Sequence, residues 1–146
     1  MSGETLHASC VAFDSRAVLI LGASGAGKSS LILSLIALGG TLVADDRVEL
    51  TVEEKGLVAR APAPLAGLVE ARGVGILSGI PCADGVLHCV ASLDQAPDAR
   101  MPEPRWWTHL GHTLPLISGQ NVPDLAPVLA ILLRNDTLPD SFTSER

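Results

Sequence analysis

Short apolar blocks separated by turns run along this 146-residue chain and predict many strands with few helices. Apolar residues partly alternate over residues 4–13, which predicts a strand, and residues 18–21 predict another. The turn between them, at residues 14–16, is so short that the two strands are expected to form an antiparallel hairpin. Parallel neighbours would need a long crossover, so the sheet is predicted to be mixed, with some strands antiparallel.

Two helices are predicted from the remaining pattern. Residues 29–38 leave almost no polar face, so this helix is expected to be buried on nearly all sides, and the glycine pair at 39–40 ends it. Asp124 is expected to cap a last helix. Further strands are predicted at residues 41–44, 48–52, 56–61, 86–93 and 114–117. The proline-rich residues 94–104 predict a mobile surface loop.

Composition narrows the possible classes of fold and function. Hydrophobic residues make up 47% of the chain with two Phe, two Trp and no Tyr, so the core is expected to be aliphatic. We expect one domain at residues 1–135 and a polar, flexible tail at 136–146. The net charge of −6 and scattered basic residues argue against nucleic acid as a partner. Apolar runs too short for a membrane span and the lack of a signal-like start predict a cytoplasmic protein.

Neither the cysteines nor the histidines predict a structural metal site. Cys10, Cys82 and Cys89 form no CxxC pair, so they are expected to be free, mostly buried thiols. His109 and His112 have the spacing of a metal pair on a helix, but no acidic or thiol partner lies close in sequence. A structural or surface role is favoured for both.

The strongest chemical signal is the run GASGAGKS at residues 22–29, which fits the phosphate-binding pattern G-x-x-x-x-G-K-S between a strand and a helix. Glycines let backbone N–H groups curl around phosphate oxygens, Lys28 can reach the outer phosphates, and the Ser29 hydroxyl can ligate Mg²⁺. A chance match is expected in well under about 1% of chains of this length. The expected ATP-binding residues are Gly22, Ala23, Ser24, Gly25, Ala26, Gly27, Lys28, Ser29 and Ser30.

Two acidic segments downstream are candidates for the rest of the site. Asp45 and Asp46 follow one helix and one strand after Ser29, which would return the chain beside the phosphate loop. One carboxylate could then approach a metal while the other orients an acceptor hydroxyl. Alternatively, the pair is a solvated turn. Glu70 and Arg72 could act as a metal ligand and a charge clamp, or could equally form a structural ion pair.

Three motifs in order, GASGAGKSS, LVADDRVEL and LVEARGVGI, resemble the catalytic domain of HPr kinase/phosphorylase, the bacterial enzyme that phosphorylates a serine of the phosphocarrier HPr. The resemblance implies an α/β P-loop fold similar to that of phosphoenolpyruvate carboxykinase, with a mixed, partly antiparallel sheet, and a homo-hexamer. It implies ATP and Mg²⁺ as cofactors. The implied catalytic residues are His7, Lys28, Asp45, Asp46 and Arg72, and the implied metal ligands are Ser29, Asp46 and Glu70. The division of base and metal roles between the two aspartates stays open.

The chain departs from the family pattern at several positions. Ser30 stands where the family has a glutamate, Gln120 where it has an arginine, and His109 where it has a second arginine that Arg105 could replace. The family's N-terminal domain is expected to be absent. Because the arginine segments are associated with the dephosphorylating reaction, weak or absent phosphorylase activity is expected.

The resulting hypothesis is an ATP- and Mg²⁺-dependent serine kinase that acts on an HPr-like phosphocarrier. One alternative is a kinase with a different acceptor. Another is a nucleotide-sensing module without transfer activity, which would have no need of an acceptor-facing carboxylate.

Overall fold

The computed structural model describes residues 3–143, which form eleven strands, three helices and a 3-10 turn at Ala63–Leu65. The first strands are β1 (Gly3–Leu6), β2 (Ser9–Phe13), β3 (Arg16–Leu21), β4 (Thr41–Ala44), β5 (Val48–Glu53) and β6 (Gly56–Arg60). The later strands are β7 (Val69–Ala71), β8 (Gly75–Leu77), β9 (Gly85–Ser92), β10 (Arg105–His109) and β11 (His112–Ser118). The helices are α1 (Lys28–Ala37), α2 (Leu125–Arg134) and α3 (Asp140–Thr143).

Nine of these strands form one mixed sheet, and β7 and β8 form a separate hairpin. The main path runs β1-β5-β6-β9-β3-β2-β4, and β11 joins β9 with β10 at its far side. Strand β9 is parallel to β3 and β11, while the other pairings in the sheet are antiparallel. The predicted α/β fold with a mixed, partly antiparallel sheet is therefore confirmed, as is the hairpin of β2 and β3.

Two strand predictions need correction. The single strand predicted over residues 4–13 is two strands, because β1 pairs with β5 whereas β2 pairs with β3 and β4. The chain bends at His7 and Ala8 to reach these different neighbours. Strand β10 was not predicted, since its aromatic residues do not alternate with polar ones. It pairs with β11 so that His109 lies opposite His112.

The aliphatic core has two parts, one on each side of the central strands. Side chains from one face, such as Val11, Val18 and Ile20, pack with helices α1 and α2. Side chains from the other face, such as Cys10 and Leu19, pack with buried residues of β5, β6 and β9. Both faces of β2 and β3 are thus covered, which fixes the strand that leads into the phosphate loop.

Helix α1 is less buried than predicted. Only one stripe of it, Leu31, Ile32 and Leu35, is buried among its apolar residues, and Leu38 after its end is exposed. The prediction of burial on nearly all sides was wrong because β2, β7 and α2 cover only part of the helix surface. The carbonyl of Leu38, directly after the helix, accepts a hydrogen bond from the Arg134 guanidinium at the end of α2.

The end of the described chain packs on the sheet. Phe142 in α3 is buried and lies edge-on to Trp106 of β10, with ring centroids 5.3 Å apart. The domain boundary predicted at residue 135 stays a prediction, and residues 144–146 of the predicted tail lie outside the described residues. Within residues 3–143, no helix is long and apolar enough to cross a membrane.

Candidate nucleotide and phosphotransfer site

The phosphate loop lies between the end of β3 and the first turn of α1. Gly25 and Gly27 have φ angles of 86° and 104°, in the left-handed region that favours glycine. A Cβ atom at either position would meet nothing within 4 Å, so backbone conformation and not space requires glycine there. The loop leads directly into α1 at Lys28, where free N–H groups and the helix dipole favour an anion.

The side chain of Lys28 folds back onto the phosphate loop. Lys28 is only 7% exposed, and its Nζ donates hydrogen bonds to the carbonyl oxygens of Gly22 and, at 3.4 Å, Ala23. At the base of the loop, the Ala23 N–H donates to Asp94 Oδ1 at 3.0 Å. Asp94 follows β9, the parallel neighbour of β3, and so ties the loop to the adjacent strand end.

Asp45 is the point at which the three motifs meet. It follows β4 and is only 9% exposed. Its carboxylate accepts hydrogen bonds from the Ser29 hydroxyl, 3.2 Å from both oxygens, and from the Ser9 hydroxyl at 2.9 Å. The backbone N–H of Glu70 donates to Asp45 Oδ2 at 3.1 Å.

Asp46 points elsewhere, although it is the next residue. Its backbone has a φ angle of 73°, and its N–H donates to the Ser9 hydroxyl at 3.1 Å. The Asp46 side chain is 62% exposed, and its Oδ1 lies 2.6 Å from His7 Nε2. One aspartate is therefore held against the phosphate loop, while the other is presented to solvent with a histidine beside it.

A cavity of about 570 Å³ opens between the phosphate loop and the β7–β8 hairpin. Both aspartates, Glu70 and Arg72 line it, and within residues 3–143 Glu70 and Arg72 form no ion pair with each other. The loop residues that line it are Ser24, Gly25, Gly27, Lys28, Ser29 and Ser30. Apolar side chains complete the wall, namely Leu33, Leu65, Leu68, Val69 and Ile76.

Not every residue of the predicted site reaches this cavity. Gly22, Ala23 and Ala26 form the base of the loop and are not among the lining residues. Arg105 does not line it either, and its guanidinium lies 3.4 Å from Asp98 Oδ2. His109 lies 3.2 Å from Glu4 Oε1, also away from the cavity.

The donor set fits Mg²⁺ only in company with a phosphate ligand. Residues 3–143 contain no group of three or more His, Cys, Asp or Glu side chains that could hold a metal ion. Mg²⁺ in nucleotide sites is held by one or two carboxylates, water and substrate phosphates, not by an all-protein cage. The Asp45 carboxylate beside the Ser29 hydroxyl meets that requirement.

Two residues of this site, Ser9 and Asp94, were not predicted from the sequence. Ser9 is a polar residue in an otherwise apolar strand, which is a signal that could have drawn attention to it. Asp94 is the first charged residue after a buried strand that lies next to β3. In both cases the partner is far away in sequence, so only the folded chain reveals the contact.

Comparison with known proteins gives consistent matches. The family model for the HPr Serine kinase C-terminal domain matches residues 1–81, more than half of the chain. HPr kinase/phosphorylase of Caldicellulosiruptor bescii is 49% identical over 74 residues, which cover 50% of this chain and 24% of that protein. The HPr kinase/phosphorylase of Peptoclostridium acidaminophilum is 47% identical over 75 residues, 51% of this chain and 24% of that protein. The match thus spans about a quarter of the length of these relatives.

A solved structure extends the likeness beyond residue 81. The Hpr(Ser) kinase/phosphatase from Coxiella burnetii superposes with a TM-score of 0.75 at 28% identity, covering 91% of this chain and 95% of that one. The superposition includes most of the region that the family model leaves unmatched. Together with the family match and the convergence of the three motifs on Asp45, it shows that this chain belongs to the HPr serine kinase C-terminal domain family.

Proposed function

We propose that this chain is an ATP- and Mg²⁺-dependent serine kinase whose acceptor is an HPr-like phosphocarrier protein. The observation that carries the proposal is the position of Asp45, which contacts Ser29 of the phosphate loop and the backbone of Glu70 while the adjacent Asp46 faces solvent. A nucleotide pocket alone would not need a second, exposed carboxylate at its rim. The names of the relatives, which are HPr kinases/phosphorylases, supply the acceptor.

The phosphate loop would bind the triphosphate. The backbone N–H groups of Gly27, Lys28 and Ser29 at the start of α1 offer donors to phosphate oxygens, whereas the Ala26 N–H donates to the Ala23 carbonyl. The Lys28 ammonium would leave the carbonyls of Gly22 and Ala23 and bind the outer phosphates. This exchange is favourable because a hydrogen bond to a charged phosphate oxygen is stronger than one to a neutral carbonyl. Lys28 lines the cavity, so its ammonium group lies close to the proposed position of the phosphates.

We propose that the Asp45 carboxylate and the Ser29 hydroxyl hold the magnesium ion, and we call Asp45 the metal-side carboxylate. These two groups would hold Mg²⁺, whose positive charge would offset the negative charge that develops on the phosphates. The resemblance places Asp46 among the implied metal ligands but leaves the division of roles open, and the contact of Asp45 with the Ser29 hydroxyl supports Asp45 for this role. Glu70 lines the same cavity through β7 and is proposed as a further metal-side group, with Arg72 as a positive charge at the phosphate end.

We propose that the Asp46 carboxylate orients the hydroxyl of the acceptor serine, and we call Asp46 the acceptor-side carboxylate. Its Oδ1 contacts His7, which leaves Oδ2 to accept the hydroxyl proton of an incoming serine. In a loose phosphoryl-transfer transition state the nucleophile needs orientation more than early deprotonation, which a weakly basic carboxylate can supply. His7 would hold the carboxylate in one orientation and is therefore a positioning residue.

The reverse reaction is proposed to be weak. Arg105 and His109, the candidates for one family arginine, do not line the cavity, and Gln120 replaces the other. Phosphorolysis of the phosphoserine would have to proceed without these charges. The hexamer and the cytoplasmic location implied earlier stay predictions.

The direct test mixes the purified protein with HPr, ATP and Mg²⁺ and maps phosphoserine by mass spectrometry. Lys28→Ala should abolish transfer, and Lys55→Ala is the matched control because Lys55 is the only other lysine and is exposed. ATP binding with no phosphoserine on HPr would overturn the proposed acceptor and favour another substrate or a sensing role. Transfer that survives in Lys28→Ala would overturn the assignment of the site.

A further inference from the structure

We propose that Ser9 is a positioning residue that couples the two aspartates of the site, an inference that rests on the proposed kinase function. Ser9 is the first residue of β2 and is fully buried. Its hydroxyl contacts both members of the acidic pair: the side chain of Asp45 at 2.9 Å and the backbone of Asp46 at 3.1 Å.

The direction of both hydrogen bonds follows from the chemistry of the groups. A backbone N–H can only donate, so the Ser9 oxygen accepts from Asp46. A serine hydroxyl has a single proton, and a carboxylate accepts, so that proton goes to Asp45 Oδ1. One hydroxyl thus completes a chain of hydrogen bonds from the acceptor-side residue to the metal-side carboxylate.

The backbone explains why this link is needed. The β2–β4 ladder pairs Cys10 with Ala44 and is irregular between Cys10 and Val11, and Asp45 and Asp46 leave it at this corner. Asp46 then adopts a left-handed conformation, which aspartate tolerates better than most residues but which takes its backbone out of the strand geometry. Its N–H no longer has a strand partner, and the Ser9 hydroxyl takes that place.

Loss of this hydroxyl should affect the two aspartates unequally. Asp45 would keep its hydrogen bonds from Ser29 and from the Glu70 N–H. In Asp46, by contrast, the backbone N–H would lose its partner and the left-handed corner could relax. Ser9→Ala is therefore expected to impair phosphate transfer more than Mg²⁺-nucleotide binding.

The experiment compares Ser9→Ala, Ser9→Thr and Val11→Ala in the full chain. Ser9→Ala should lower kcat for phosphate transfer by about 10- to 100-fold, the usual cost of removing such a supporting hydrogen bond, with little change in the Kd of Mg²⁺-ADP. Ser9→Thr keeps the hydroxyl and should restore most of the rate. Val11→Ala removes core contacts from the same strand and should lower Tm without this loss of kcat.

A second readout does not depend on the acceptor. Amide hydrogen exchange measured by NMR should be slow at Asp46 in the parent protein and in Ser9→Thr, and clearly faster in Ser9→Ala. If the parent protein transfers no phosphate to HPr, the proposed function fails while this exchange still tests Ser9. Unchanged Asp46 exchange in Ser9→Ala, or an equal loss of kcat in Val11→Ala, would overturn the positioning role.

Discussion

Residues 3–81 and residues 82–143 make different contributions to the molecule. The first region carries the phosphate loop, the β7–β8 hairpin and the corner formed by Asp45 and Asp46, which is called the acidic corner below. Hydrogen bonds from Ser9, Ser29 and the Glu70 backbone meet at Asp45. In the second region, the Arg105–Asp98 ion pair lies on the surface, and the buried residues of α2 belong to the aliphatic core. Most of the candidate chemistry thus lies in the first region, whereas the aliphatic core draws on both regions.

The two regions nevertheless form one structural unit. Strand β9, from the second region, lies in the middle of the sheet between β3 and β6, and α2 packs on β2 and β3. The strand that delivers the phosphate loop is therefore held by residues outside the family match. The residues that match the family model therefore include the candidate site but only part of the sheet that supports it.

The largest expected effects come from substitutions of Asp45 and Asp46 in the first region, which should have different consequences. Asp46→Asn should lower the rate of phosphate transfer by about 100-fold or more, because the acceptor hydroxyl would lose the carboxylate that is proposed to orient it. Asp45→Asn should instead abolish the gain in nucleotide affinity that Mg²⁺ provides. Transfer assays and ADP binding with and without Mg²⁺ measure both effects. Asp14→Asn is the control, since Asp14 is an exposed aspartate that also has a positive φ angle; an exchange of the two phenotypes would reverse the roles.

A substitution in the second region should change stability and leave the chemistry intact. Leu129 of α2 is fully buried, so Leu129→Ala should lower the free energy of unfolding by about 2–5 kcal/mol. Ile131 of the same helix is 58% exposed, and Ile131→Ala should cost about 0.5 kcal/mol or less. Urea denaturation gives both values. A change in ADP affinity of folded Leu129→Ala would show that α2 does more than pack.

Thiol reactivity should report on how tightly the two regions are joined. Burial raises the pKa of Cys10 in β2 and raises that of Cys89 in β9 to about 12, whereas Cys82 is exposed. Because the thiolate is the reactive form, a thiol reagent near neutral pH should label only Cys82 in the folded protein. Mass spectrometry should find all three cysteines labelled after denaturation. Labelling of Cys89 under native conditions would mean that β9 separates from β3 and β6.

The smallest expected effect concerns the β5–β6 hairpin, away from the site. The hydrogen bond from Arg60, and then the one from Thr51, lowers the pKa of Glu53 below its ordinary value of 4.5. The ionised carboxylate therefore stabilises the fold above that value, and this contribution is lost as pH falls through the lowered pKa. Glu53→Gln should show a slightly smaller fall in Tm than the parent protein between about pH 6 and about pH 3. Glu54→Gln, at the exposed neighbour, should behave like the parent protein.

Local signals in the sequence were sufficient for much of the fold. The glycine-rich pattern predicted the strand, loop and helix at residues 18–38, and the short turn at 14–16 predicted the β2–β3 hairpin. The order of the acidic motifs also predicted that they would lie near Ser29, and Asp45 does contact it. These features depend on turn chemistry and burial over a few residues, which the sequence records directly.

Only the tertiary structure decided how the acidic corner is arranged. The partners of Asp45 come from positions 36, 16 and 25 residues away, and although Ser9 stands out as a polar residue in an apolar strand, nothing near it in sequence indicates its contact with Asp46. The division of β1 from β2 and the existence of β10 likewise depend on which strands lie beside them. Sequence patterns carry the preferences of neighbouring residues, whereas hydrogen bonds between distant segments form only after the sheet brings their ends together.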